Sequence, residues 1–183
     1  MKRTVLLLAL LALVVPGMAV AQAPAPTRPG PEHKKLAIWI GDWTYEGEIF
    51  ATPLGPAGKT HGKASVRSAL GGFFVEWRGE DAGAWGAMQW LELDGYDAAQ
   101  KRYTWDLFGS DGAGQRVHYT IEGTTVAYSG TQRAGNKEVR IRGTVVFAAD
   151  LMSNVDKREM SLDGATWVPL WETKSIKSRA AVK

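Results

Sequence analysis

The stretch Trp39-Ile40-Gly41-Asp42-Trp43-Thr44-Tyr45-Glu46-Gly47-Glu48-Ile49-Phe50 decides the fold. Trp43, Tyr45, Gly47 and Ile49 alternate with Thr44, Glu46 and Glu48. That period of two marks a strand with one dry face and one wet face. Upstream, Leu36, Trp39 and Ile40 recur at helical spacing, and Pro31 and Glu32 suit a first helical turn. The pattern predicts one short helix over 31–40. Gly41 is expected to end it in the left-handed conformation, and the first strand follows from Asp42.

The rest of the chain repeats strand and turn. About ten short apolar-alternating segments are separated by turn residues at strand-like spacing. Turn signals include Gly71-Gly72, Asp81-Ala82-Gly83, Ser110-Asp111-Gly112, Glu122-Gly123 and Asp163-Gly164. Neighbours joined by such short turns pair antiparallel. The segment Trp85 to Tyr96 alternates imperfectly, and a bulge is expected there. Glycines inside strand patterns, such as Gly62, Gly79 and Gly143, favour strong bending. The expected fold is all-β: a closed or nearly closed antiparallel barrel of about ten strands, with one short N-terminal helix to plug one end.

Outside this region the chain reads as processing signals. Met1-Lys2-Arg3 is basic, Val5 to Val15 is apolar but short for a membrane span, and Ala19-Val20-Ala21 is a small-x-small cleavage site. Residues 1–21 are therefore expected to be a signal peptide, 22–31 a Pro/Ala-rich linker, 32–178 a single barrel domain and 179–183 a disordered tail. The expected location is exported, periplasmic or extracellular, with no stable membrane span after cleavage.

Charge and composition exclude several classes. The chain has 183 residues, with 22 Lys+Arg against 19 Asp+Glu. Removing Lys2 and Arg3 with the leader leaves 20 against 19, a net charge of +1. That balance is no evidence for nucleic acid, which needs a concentrated basic face, and none is expected as a partner. The chain has no cysteine, so no disulfide supports the fold and the core must hold it.

The residues Gly41-Asp42-Trp43, at the junction of a helix and the first strand of an antiparallel barrel, resemble the lipocalin and fatty-acid-binding superfamily, the calycins. The resemblance implies that Trp43 packs across the barrel floor. It also implies a basic residue from the last strand above it, either Lys174 or Lys177. A second resemblance covers most of the chain past the leader. It rests on His33-Lys34-Lys35-Leu36, Ile40-Gly41-Asp42-Trp43, Gly95-Tyr96-Asp97, Lys101-Arg102-Tyr103 and Asp163-Gly164. In these the chain resembles a bacterial domain-of-unknown-function family, number fifteen seventy-nine. That resemblance implies the fold and carries no activity.

Eight tryptophans supply broad apolar faces with one N–H each. Trp39 and Trp43 read as core. Tyr45, Trp77, Trp105 and Tyr128 belong to alternating sets that can line a ligand cavity in a wide barrel. Arg140 and Arg142 share a face and would hold a ligand carboxylate if that face points inward; the competing reading is a solvated outer face. His33, His61 and His118 lie apart with no cysteine, so neither zinc nor haem is expected, and no cofactor is assigned. No Gly-x-Ser-x-Gly elbow is present. The reading is a non-enzymatic barrel that binds a small apolar or amphipathic molecule. Its alternatives are an isomerase- or hydrolase-type enzyme using the same cavity, and a filled barrel acting through protein contacts.

Overall fold

The computed structural model describes residues 28–134 and 137–178. The expected leader, most of the linker and the expected tail lie outside the described residues. Ten antiparallel strands form one closed barrel in sequential order, with β1 returning to pair with β10. They are β1 Gly41–Ile49, β2 Gly58–Ala69, β3 Phe74–Gly83, β4 Gly86–Asp97, β5 Arg102–Gly109, β6 Gly114–Glu122, β7 Thr125–Ala134, β8 Lys137–Phe147, β9 Ser153–Ser161 and β10 Val168–Lys177. Closure runs from Trp43 opposite Lys177 to Ile49 opposite Trp171. It leaves no strand edge unpaired, which is why ten consecutive hairpins settle as a barrel rather than an open sheet.

The helical segment is tighter than its periodicity predicts. Helix α1 covers Pro31–Lys35 and continues as a 3-10 turn over Leu36–Ile38. Gly41 does not cap it in the left-handed conformation. Its φ is +148°, it is already the first residue of β1, and a Cβ there would overlap the Lys177 side chain. Gly71-Gly72 makes no two-residue hairpin turn; Leu70–Gly72 forms a 3-10 turn with three consecutive positive φ values. The expected bulge in β4 is absent: its register runs unbroken against both β3 and β5. The irregularity falls instead in β10, between Pro169 and Trp171, where proline has no N–H for the ladder.

The buried core runs from the helical end through Trp105 and Tyr128 to Val139, Ile141, Met160 and Leu170 near the opposite end; the helical end is its densest aromatic part. Leu36, Trp39, Trp43, Val75, Tyr103, Tyr119, Val126 and Phe147 are all buried there. The outer wall carries cross-strand ion pairs, among them Lys59 with Glu48, Arg67 with Asp42 at 2.7 Å, and Lys157 with Glu172 at 3.2 Å. These exposed pairs add little stability; they account for the charged half of each alternating strand.

Candidate ligand site in the barrel interior

The helical end is a sealed floor. Trp43 Nε1 donates to the Trp39 carbonyl at 2.7 Å. Trp39 packs against Trp77 at 5.3 Å and Phe147 at 5.0 Å between ring centroids. Of the two candidate lysines, Lys177 is the one inside. Its Nζ lies 4.7 Å from the Trp43 ring centroid and donates to the Ile38 carbonyl at 3.1 Å, while Lys174 is exposed on the outer wall. Burial lowers the Lys177 pKa. Tyr103 ties the helix down, its hydroxyl donating to Glu32 Oε2 at 2.7 Å.

Above the floor the barrel is lined by aromatic and polar side chains. The inward residues Tyr45, Trp77, Glu92, Gln115, Gln132, Asp156 and Trp171 keep partial exposure, whereas the floor residues do not. Other inward residues at these heights are buried, among them Trp105, Tyr128 and Arg158, as are Val139, Ile141, Met160 and Leu170 near the end opposite the helix.

One wall of this interior is a closed polar network. Arg158 is buried, at 6% exposure. Its Nε donates to the Tyr128 hydroxyl at 3.0 Å and a terminal nitrogen donates to Gln115 Oε1 at 3.2 Å. Its guanidinium lies 3.8 Å from the Trp171 ring centroid, a stacking that suits a planar cation. The Tyr128 hydroxyl donates to Asp156 Oδ1 at 2.6 Å, and Trp171 Nε1 donates to Asp156 Oδ2 at 2.9 Å. Gly143 makes this possible. It lies between Tyr128 on β7 and Arg158 on β9, and a Cβ there would overlap the Tyr128 hydroxyl. The missing side chain lets the two residues meet across β8.

The facing wall carries two acids side by side on β4. Glu92 lies opposite Trp77 and Leu107, and Asp94 lies opposite Val75 and Trp105. Asp94 Oδ2 accepts the Tyr119 hydroxyl at 2.8 Å. Burial first, then mutual repulsion, pushes Glu92 well above the usual carboxyl range. Burial likewise pushes Asp94 up, opposed by Glu92, Tyr119 and Trp77, which favour its charge. The pair resists losing both protons because water cannot solvate two adjacent charges there. Several groups around it have no hydrogen-bond partner: Asp94 Oδ1 and the indole nitrogens of Trp77 and Trp105. Buried polar atoms left unpaired are costly, so such a group points to something that completes it. Nearer the mouth, Trp90 Nε1 donates to Asp81 at 2.8 Å, and burial raises the Asp81 pKa.

The expected site residues divide by face. Tyr45, Trp77, Trp105 and Tyr128 all point inward, and Trp105 packs on Tyr128 at 4.9 Å. Arg140 and Arg142 do not join them. Both are exposed, and Arg142 pairs outside with Glu159 at 2.7 Å and covers the Trp167 ring at 4.2 Å. Their neighbours Val139 and Ile141 take the inner face, and alternation sends the arginines out. The inward arginine is Arg158, which the sequence reading missed, together with Glu92, Asp94 and Asp156. Alternation gave no signal for Arg158, because Asn154, Asp156, Arg158 and Met160 on one face and Val155, Lys157 and Glu159 on the other each mix polar and apolar residues. Two grooves on the outer wall, of about 510 and 690 Å³, are lined chiefly by exposed polar side chains such as His61, Lys63, Glu46 and Lys174. They lack the aromatic faces of the interior.

The fold is a lipocalin-like closed barrel. The chain belongs to the family described as "Protein of unknown function (DUF1579)", whose model matches residues 28–161. Among solved structures, Rv2717c from M. tuberculosis is similar with a TM-score of 0.59 at 11% identity, over 82% of this chain and 99% of that one. The S-type phycobiliprotein lyase CPES from Guillardia theta is similar with a TM-score of 0.53 at 9% identity, over 82% of this chain and 94% of that one. At these identities the likeness concerns the fold. A comparison with curated protein sequences gives no match.

Proposed function

We propose that this protein binds a small apolar or amphipathic molecule inside the barrel, above the sealed floor. The observation that carries the reading is an aromatic and polar inner wall whose hydrogen bonding is incomplete. The base is packed shut, while Tyr45, Trp77 and Trp171 above it retain exposure and the Trp77 and Trp105 N–H groups lack partners. Aromatic walls with a few converging polar groups are the usual composition of small-molecule sites. The likeness to a phycobiliprotein lyase supports the reading only in that a barrel of this shape serves a protein of that name.

Native mass spectrometry of the purified protein is the first test, looking for a co-purified small molecule. Tryptophan fluorescence titrated with a panel of apolar and amphipathic metabolites is the second. Saturable quenching that weakens in Trp105→Phe, with the fold intact by circular dichroism, supports the proposal. A bare protein with no saturable response to the panel overturns it and favours a barrel acting through protein contacts. We further propose that the protein is exported after cleavage behind Ala21. An intact mass that still includes residues 1–21 in the exported fraction overturns that part.

A further inference from the structure

We propose that the polar end of the ligand is an organic cation with N–H donors, such as a protonated amine or amidinium, seated on Glu92 and Asp94 between the Trp77 and Trp105 indoles. This inference rests on the reading of the interior as a ligand site and names the class of molecule it takes.

Three observations converge on a cation. First, the acid pair is the unfinished part of the interior. Asp94 is 1% exposed, its Oδ2 is engaged by Tyr119, and its Oδ1 has no partner. Glu92 and Trp77 lie close enough to bias its charge, yet neither completes Oδ1. An acceptor left bare in a dry place gains most from a charged N–H donor. Second, the inward cation nearest this pair is already used. Arg158 is spent on Tyr128, Gln115 and the Trp171 face, and Asp156 is satisfied by Tyr128 and Trp171. The interior therefore carries an excess of carboxyls on the β4 side. Third, the acid pair is walled by π-faces. Glu92 is the direct cross-strand neighbour of Trp77, and Asp94 of Trp105, with Tyr119 5.6 Å from Trp105 between centroids. Carboxylates among aromatic faces favour an organic cation over a neutral head group.

The same geometry argues against the other charges. A carboxylate ligand would bring a further acid beside two that already resist losing both protons, a built-in penalty for the wrong partner. A metal ion needs converging ligands. Among the described residues, no three His, Cys, Asp or Glu side chains converge closely enough to hold one.

Binding is coupled to protons through the acid pair. The ionisable groups around the pair are Tyr119 from β6, Tyr128 from β7, Asp156 and Arg158 from β9, and Asp106 from β5, whose charge also bears on Asp94. Asp81 lies toward the mouth and Lys177 in the floor. The empty pair retains a proton that a bound cation displaces, so affinity for the cation falls as the pH is lowered.

The test uses three probes with one apolar body: decylamine, decanol and decanoate, titrated below their aggregation limits by calorimetry and tryptophan fluorescence. The expected result at pH 8 is decylamine binding at least tenfold tighter than either of the others. Its affinity should drop at least tenfold by pH 6, and its binding enthalpy should vary with the ionisation heat of the buffer because a proton is released. Asp94→Asn and Glu92→Gln should each weaken decylamine at least tenfold and leave decanol within threefold. Equal or tighter binding of decanol or decanoate overturns the cation inference while the interior site stands. Tight decylamine binding that both variants leave unchanged also overturns it. No saturable binding of any probe removes the ligand site itself.

Discussion

Replacing Asp94 by Asn should make the barrel more stable at alkaline pH and flatten its response to acid. Burial raises the Asp94 carboxyl from its ordinary value of 3.8 to about 7. A raised pKa means the folded state holds this proton more tightly than the unfolded chain does. The associated stability is therefore fully present below about pH 4 and is lost as the pH rises through about 7. Each tenfold difference in proton affinity is worth about 1.4 kcal/mol. The buried charge thus costs the folded protein on the order of 4 kcal/mol at pH 8, shared with Glu92 because the two titrate together. Asn keeps an oxygen for the Tyr119 hydroxyl and never ionises. Its amide N–H groups add a desolvation cost of about 1–3 kcal/mol unless Glu92 accepts from them. The expected net gain at pH 8 is about 1–3 kcal/mol, equal to roughly 2–10 °C in Tm for a domain of this size. At pH 4 the gain should vanish or reverse. Urea unfolding of both proteins at pH 4, 6 and 8 measures this directly. Parallel pH profiles for wild type and Asp94→Asn would refute the reasoning, since they would mean that Asp94 is ionised normally in the fold.

Trp43→Ala should cost about 3–5 kcal/mol, because it empties the floor beneath Trp39, Phe147 and Lys177; an unchanged urea midpoint would contradict that placement. Gly143→Ala should cost about 1–3 kcal/mol through overlap with the Tyr128 hydroxyl and the Lys157 carbonyl. The aromatic circular dichroism band should change with it as Tyr128 leaves Asp156. Arg142→Ala removes an exposed pair with Glu159 and should shift stability by under about 1 kcal/mol. It should leave the affinity for any interior ligand unchanged, and a tenfold loss in a fluorescence titration would show that the outer wall takes part in binding.

Much of this architecture is local and was legible in the chain. The Trp43 alternation, the helical stripe of Leu36 and Trp39, and the turn residues each act over a few positions. Together they determined an antiparallel barrel with a plugged end. Even the outward direction of Arg140 and Arg142 was present, because Val139, Ile141, Val145 and Phe147 claim the other face. The acid pair is different. On β4 the outer face carries Leu91 and Leu93 while the inner face carries Trp90, Glu92 and Asp94. Hydrophobicity alone would turn that strand the other way round. Its direction is set by register: Trp77 on β3 and Trp105 on β5 must point into the core, and the residues paired with them, Glu92 and Asp94, must follow. A strand has two neighbours, and closure of the barrel lets them overrule its own pattern. The tertiary structure alone therefore decided that two carboxyls lie inside, where burial and mutual repulsion raise their proton affinity.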